Sequence, residues 1–96
     1  MDREEILNES LRIIRRHLPR DDFKVYLFGS WAKGMAEPTS DIDIAILGPQ
    51  PIDDLLLLRL KDEVGGIPTL RRIDVVDLNQ TDDCFRNEVL SYARAL

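Results

Sequence analysis

Two aspartates, Asp41 and Asp43, open the run DIDIAIL at residues 41–47. In an extended strand, residues i and i+2 project to the same side, so these carboxylates stand next to each other and repel. Hard anionic oxygens at that spacing suit Mg²⁺, which keeps coordination positions for water and for substrate phosphates. A bare D-x-D pair can equally be a strand cap beside a solvated neighbour. The residues in front of it weigh against that. Gly29-Ser30 ends the hydrophobic run FKVYLF, and ten residues separate Ser30 from Asp41. A glycine at a strand end lets the backbone approach an anion closely, the N–H groups of a following turn point outward, and the serine hydroxyl adds a donor. A phosphate cradle beside a metal platform describes a nucleoside-triphosphate site.

A second metal needs a third carboxylate, and LRRIDVVDL at residues 70–78 offers Asp74 and Asp77. Strand parity separates them. Asp77 shares a face with Ile73 and Val75, the β-branched pair that packs inward, whereas Asp74 shares the other face with Val76. Asp74 is therefore expected beside Asp41 and Asp43, with Asp77 a turn or cap residue at the strand end. Of the two arginines before the strand, Arg72 alternates onto the Asp74 side.

These side chains must be held by a small α/β scaffold. Residues 2–18 carry Ile6, Leu7, Leu11, Ile14 and Leu18 at helical spacing, with Asp2 and Glu5 as a capping box and Pro19 as the stop. Strands are expected at 23–28, 41–47 and 70–78, a short helical turn at WAKG, and helices at about 52–64 and 81–95. Gly65-Gly66 closes the first of those helices; the second places Phe85, Val89 and Ala93 on one side. In the second strand Ile42, Ile44 and Ile46 form the inward face. The order α-β-(α)-β-α-β-α predicts an α/β (α+β) unit, a small mixed sheet with helices packed on one face, with residues 1–96 as one domain.

Composition narrows the partners. Hydrophobic residues make up 44% and charged residues 32% of the 96, a globular balance. A chain of this size has little room for a deep cavity, so an open groove is expected. Net charge −5 disfavours duplex nucleic acid, whose phosphates require a basic face. One cysteine, Cys84, leaves no internal disulfide and no cysteine-rich zinc site, and it is expected to be buried or half-buried. MDREEILNES lacks the pattern of a signal peptide, and LLLL at 55–58 is too short to span a bilayer. A cytoplasmic protein with no membrane partner is expected. A homo-oligomer is compatible with this sequence.

GSWAKGMAEPTSDIDIAI resembles the signature of the DNA polymerase beta-like nucleotidyltransferase superfamily, G-S-x(10)-D-x-D with a later Asp in a hydrophobic strand. The fuller pattern, matched by Gly29, Ser30, Ala32, Gly34, Ser40, Asp41, Asp43 and Ala45, is similar to the minimal nucleotidyltransferases, with Asp74 in IDVVDL as the third carboxylate. Trp31 replaces a basic residue often found there, and Lys33 stands where the family usually has arginine. The resemblance implies a polymerase beta-like core and one or two Mg²⁺, or Mn²⁺, held by the catalytic residues Asp41, Asp43 and Asp74. It implies ATP as substrate, bound with help from Gly29, Ser30, Lys33 and Ser40. The implied reaction transfers a nucleoside monophosphate, AMP above all, to a hydroxyl of a macromolecule. The implied acceptor is a tyrosine of a HEPN-domain toxin, for which the protein would be the antitoxin. The alternative is a binding module, an antitoxin subunit that holds its toxin with little or no catalysis. An intact carboxylate triad favours catalysis, and the absence of a second substrate-binding segment favours a protein partner. Trp31 is expected to stack a base or dock that partner, and His17, in the last turn of the first helix, to be a structural or surface residue rather than a catalytic one.

Overall fold

The parallel pairing of two strands, with a helix as the crossover between them, organises the protein. The computed structural model describes residues 2–34 and 41–96. In chain order it has helix α1 (Arg3–His17), strands β1 (Lys24–Phe28) and β2 (Ile42–Leu47), helix α2 (Asp54–Gly65), strand β3 (Ile73–Asp77), a 3₁₀ turn (Leu78–Gln80), helix α3 (Asp83–Tyr92) and strand β4 (Arg94–Ala95). The sheet order is β3-β2-β1-β4. β1 runs antiparallel to β2 and β4, and β2 runs parallel to β3. Parallel neighbours cannot be joined by a hairpin, and α2 supplies the long return that such a pair needs.

Local chemistry explains the helix ends. Asp2 accepts the Glu5 N–H at 2.9 Å, and acidic residues in the first turn and basic ones in the last of α1 match the helix dipole. Leu18 is already extended, as the residue before a proline prefers. Asp53 caps α2 by accepting from the N–H groups of Leu55 and Leu56. His17 joins α1 to α2 through Glu63, at 2.8 Å.

Ile42, Ile44 and Ile46 are completely buried against Ile6, Ile13 and Ile14 of α1 and Leu60 and Val64 of α2. The strict alternation of β2 thus places α1 and α2 on one face. The opposite face is partly covered as well: Val89 of α3 and Leu78 pack with Phe28 and Ala45, flanked by Tyr26, Val76 and Tyr92. α3 therefore lies on the same side of the sheet as Asp43.

The tail departs from the expected helix over 81–95. α3 ends at Tyr92, Ala93 is extended, and Arg94 and Ala95 pair with Leu27 and Tyr26 of β1. A two-residue strand has no periodicity to read, and its pairing is set by β1, far away in sequence. The third strand starts at Ile73 rather than residue 70, leaving Leu70 fully exposed. Cys84 is exposed rather than buried, because it lies on the solvent side of the first turn of α3. No helix among the described residues is long and apolar enough to cross a membrane.

Candidate active site

β2 and β3 are in parallel register with Asp43 opposite Asp74. Neighbouring strands lie about 4.8 Å apart, and paired residues project to the same face, so the two carboxylates stand side by side. Asp41, exposed just before β2, shares that face by its two-residue spacing. The electrostatics follow from this crowding. Partial burial raises the pKa of Asp43, the charges of Asp74 and Asp41 raise it further, and Arg72 opposes them. Arg72 does lie on the Asp74 side, where its Nε donates to Asp74 Oδ1 at 3.0 Å in an exposed pair. An open groove of about 400 Å³ runs along β3, lined by Asp43, Asp74, Arg72 and Lys61 among others.

The backbone beside Asp43 is equally constrained. β1 pairs Phe28 with Asp43, so the next residue, Gly29, turns away directly against the Asp43 side chain. Gly29 has φ +76°, and a Cβ at this position would collide with Asp43 Oδ2. Only glycine satisfies both demands at no steric cost. The turn continues through Ser30, which is half-buried, with Lys33 N–H donating to the Gly29 carbonyl at 3.2 Å. The N–H of Gly29 itself donates to the hydroxyl of Tyr92 at 3.0 Å. The Lys33 ammonium lies 4.6 Å from the centroid of the same tyrosine ring. Ser40 lies outside the described residues.

Asp77 stands apart from this group. It is 4% exposed, and its carboxylate accepts from the N–H groups of Ile52 at 2.8 Å and Asn79 at 3.0 Å and from Gln80 Nε2 at 3.0 Å. A buried carboxylate with three donors ties the start of α2 to the 3₁₀ turn. Trp31 also differs from expectation. Its ring is half-buried against the core, and the guanidinium groups of Arg3 and Arg71 stack on it at 4.8 and 5.0 Å from the centroid. The ring is thus engaged by the chain's own arginines rather than held open for a base.

The carboxylate group suits a divalent ion in its chemistry: three oxygen donors on one face, mutual repulsion that a cation would relieve, and a side-chain-free Gly29 against Asp43. Among the described residues, though, no set of three or more His, Cys, Asp or Glu side chains is arranged to hold a metal as it stands. One of the three carboxylates, Asp74, is instead paired with Arg72.

A family model described as Polymerase beta, Nucleotidyltransferase matches residues 21–96, and the chain belongs to that nucleotidyltransferase family. It is 36% identical over 84 residues to the probable protein adenylyltransferase MntA of Haemophilus influenzae, covering 85% of this chain and 74% of that one. A solved toxin–antitoxin with AMP-PNP superposes with a TM-score of 0.75 at 26% identity, covering 92% of this chain and 69% of that one. A Shewanella oneidensis structure, of a tri-AMPylated HEPN toxin in complex with MNT antitoxin, shares the fold at a TM-score of 0.72 and 23% identity, covering 96% and 69% of the two chains.

Tyr92, Arg3 and Lys61 are site-adjacent residues that sequence reasoning missed. Tyr92 is 63 positions from Gly29, and no local pattern links the two.

Proposed function

We propose that this protein is an adenylyltransferase that moves AMP from ATP to a tyrosine hydroxyl of a HEPN-type toxin and so acts as its antitoxin. The observation that carries this reading is the juxtaposition of Asp43 and Asp74 in register beside the Gly29-Ser30 turn. The relatives' names supply the acceptor class, and net charge −5 suits a basic protein surface better than free nucleic acid. We read residues 1–96 as one nucleotidyltransferase domain working in the cytoplasm.

Asp41, Asp43 and Asp74 would hold one or two Mg²⁺, with Arg72 yielding Asp74. Such an ion would polarise the phosphates and neutralise charge on the leaving pyrophosphate. The exposed Arg72–Asp74 pair is weak enough to give way, since pairs of this kind contribute about 0–1 kcal/mol. The Ser30 hydroxyl donates to phosphate oxygens, Lys33 adds positive charge beside the Gly29-Ser30 turn, and Arg72 adds it in the groove. The acceptor oxygen attacks the α-phosphorus and forms a new O–P bond. The bond from that phosphorus to the bridging oxygen breaks, and the acceptor's proton passes to a carboxylate of the group. An open groove on a small domain orients a free small acceptor poorly. A docked protein supplies the missing wall and the proximity.

Incubation with the cognate toxin and ATP labelled at either the α- or the γ-phosphate tests this. The α-label is expected on the toxin and the γ-label in pyrophosphate. A stable complex without α-label on the toxin would leave the binding-module alternative in its place.

A further inference from the structure

Tyr92 takes no part in the chemistry above, yet one side chain holds both ends of the turn that begins at Gly29. Its hydroxyl accepts the Gly29 N–H, and its ring carries the Lys33 ammonium. Gly29 occupies a left-handed conformation that glycine reaches easily but also leaves easily, because it has more freedom to lose than any other residue. From one side Asp43 closes off the space at its Cα, and from the other Tyr92 fixes its N–H. Tyr92 is itself well placed to act as an anchor. It packs beside Phe28 and Ala45, and two residues later the chain is pinned to β1 by the pairing of Arg94 with Leu27.

We propose that Tyr92 is a positioning residue for the nucleotide. Its hydroxyl pre-sets the Gly29-Ser30 turn, and its ring keeps Lys33 beside that turn, so that ATP meets a formed cradle. The inference rests on Gly29-Ser30 being the phosphate site of the proposed function. A preformed cradle spares the ordering cost that a loose glycine turn would impose on each binding event. A hydroxyl and a ring also act separately, so their loss should be separable.

Tyr92→Phe removes the hydroxyl and keeps the ring, whereas Tyr92→Leu removes both. Trp31, the only tryptophan, follows Ser30 directly, and its fluorescence reads ATP binding in the presence of Mg²⁺. Tyr92→Phe is expected to weaken ATP binding about threefold to tenfold, the range of one net hydrogen bond. Tyr92→Leu should weaken it about threefold further through the lost cation–π contact. That extra step should vanish in a Lys33→Met background. In the nucleotide-free protein, Gly29 amide exchange should be at least about tenfold faster in Tyr92→Phe, as for any locally opened hydrogen bond. Unchanged Gly29 exchange together with unchanged ATP affinity would overturn the proposal. Tighter ATP binding in Tyr92→Phe would also overturn it, by making the hydroxyl a competitor of phosphate. If the wild-type protein fails to bind ATP while Tyr92→Phe still speeds Gly29 exchange, the nucleotide site itself is refuted, and the inference falls with it on separate grounds.

Discussion

Asp43 faces Asp74 across the parallel β2–β3 pair, and the Cα of Gly29 sits against the same Asp43 carboxylate. Two chain segments that are independent in sequence, the strand carrying Asp74 and the turn after β1, thus converge on one side chain. The cost of the arrangement is visible in Asp43, whose pKa is raised by burial first and by the two neighbouring carboxylates next. An arrangement that holds like charges together is poised to take a cation.

The first consequence is a metal-dependent stability. A ligand that binds only the folded state adds about 2.7 kcal/mol at a hundredfold excess over its dissociation constant. The melting temperature should therefore rise with Mg²⁺ or Mn²⁺, and further with ATP added. Asp41→Asn/Asp43→Asn should show little or no rise. An equal rise in the double variant would place the ion elsewhere.

Asp74 and Asp77 should part company on substitution. Asp74→Asn removes one partner of an exposed ion pair, worth about 0–1 kcal/mol, and is expected to fold normally and lose AMP transfer. Asp77→Asn disturbs three hydrogen bonds of a buried carboxylate, one of them fully buried, and should lower stability by about 1–3 kcal/mol. Below its melting range it should keep transfer within about tenfold, a barrier change of about 1.4 kcal/mol. Thermal melts and labelled-ATP assays on both variants check this, and the reverse pattern would contradict the roles given to them.

Gly29→Ala tests the close approach to Asp43. The left-handed backbone alone costs a residue with a Cβ about 1–2 kcal/mol, and the added methyl collides with the Asp43 carboxylate. The variant should melt lower and bind ATP at least about tenfold more weakly, a loss of about 1.4 kcal/mol. Wild-type affinity in a folded Gly29→Ala protein would remove Gly29 from the site.

How much of this was legible beforehand depended on whether the signal was local. Alternation in DIDIAIL fixes which side Asp41 and Asp43 share, and the same parity separates Asp74 from Asp77, because a strand has only two faces. Proline and glycine mark the end of α1 and the turn after β1 for equally local reasons. The hold of Tyr92 on Gly29 was not legible, nor was the pairing of Arg94 and Ala95 with β1, since each joins residues far apart in the chain through tertiary packing. Trp31 misled for the same reason. Its place after Ser30 suggests a base platform, but Arg3 and Arg71, 68 positions apart in the sequence, come together on its ring. Cys84 misled through residue type, since cysteine's usual burial gives way to its position on the outer side of α3.

The central claim is that the carboxylates of this groove transfer AMP to a partner protein's tyrosine, and intact mass spectrometry of that partner measures it most directly. The cognate HEPN-type protein, incubated with ATP, Mg²⁺ and the wild-type chain, should gain the mass of one or more AMP groups, located by peptide mapping on tyrosine. The same mixture with Asp41→Asn/Asp43→Asn should leave it unmodified. A partner that stays unmodified by the wild-type chain while bound in a stable complex would contradict the claim, as would one modified equally by the double variant.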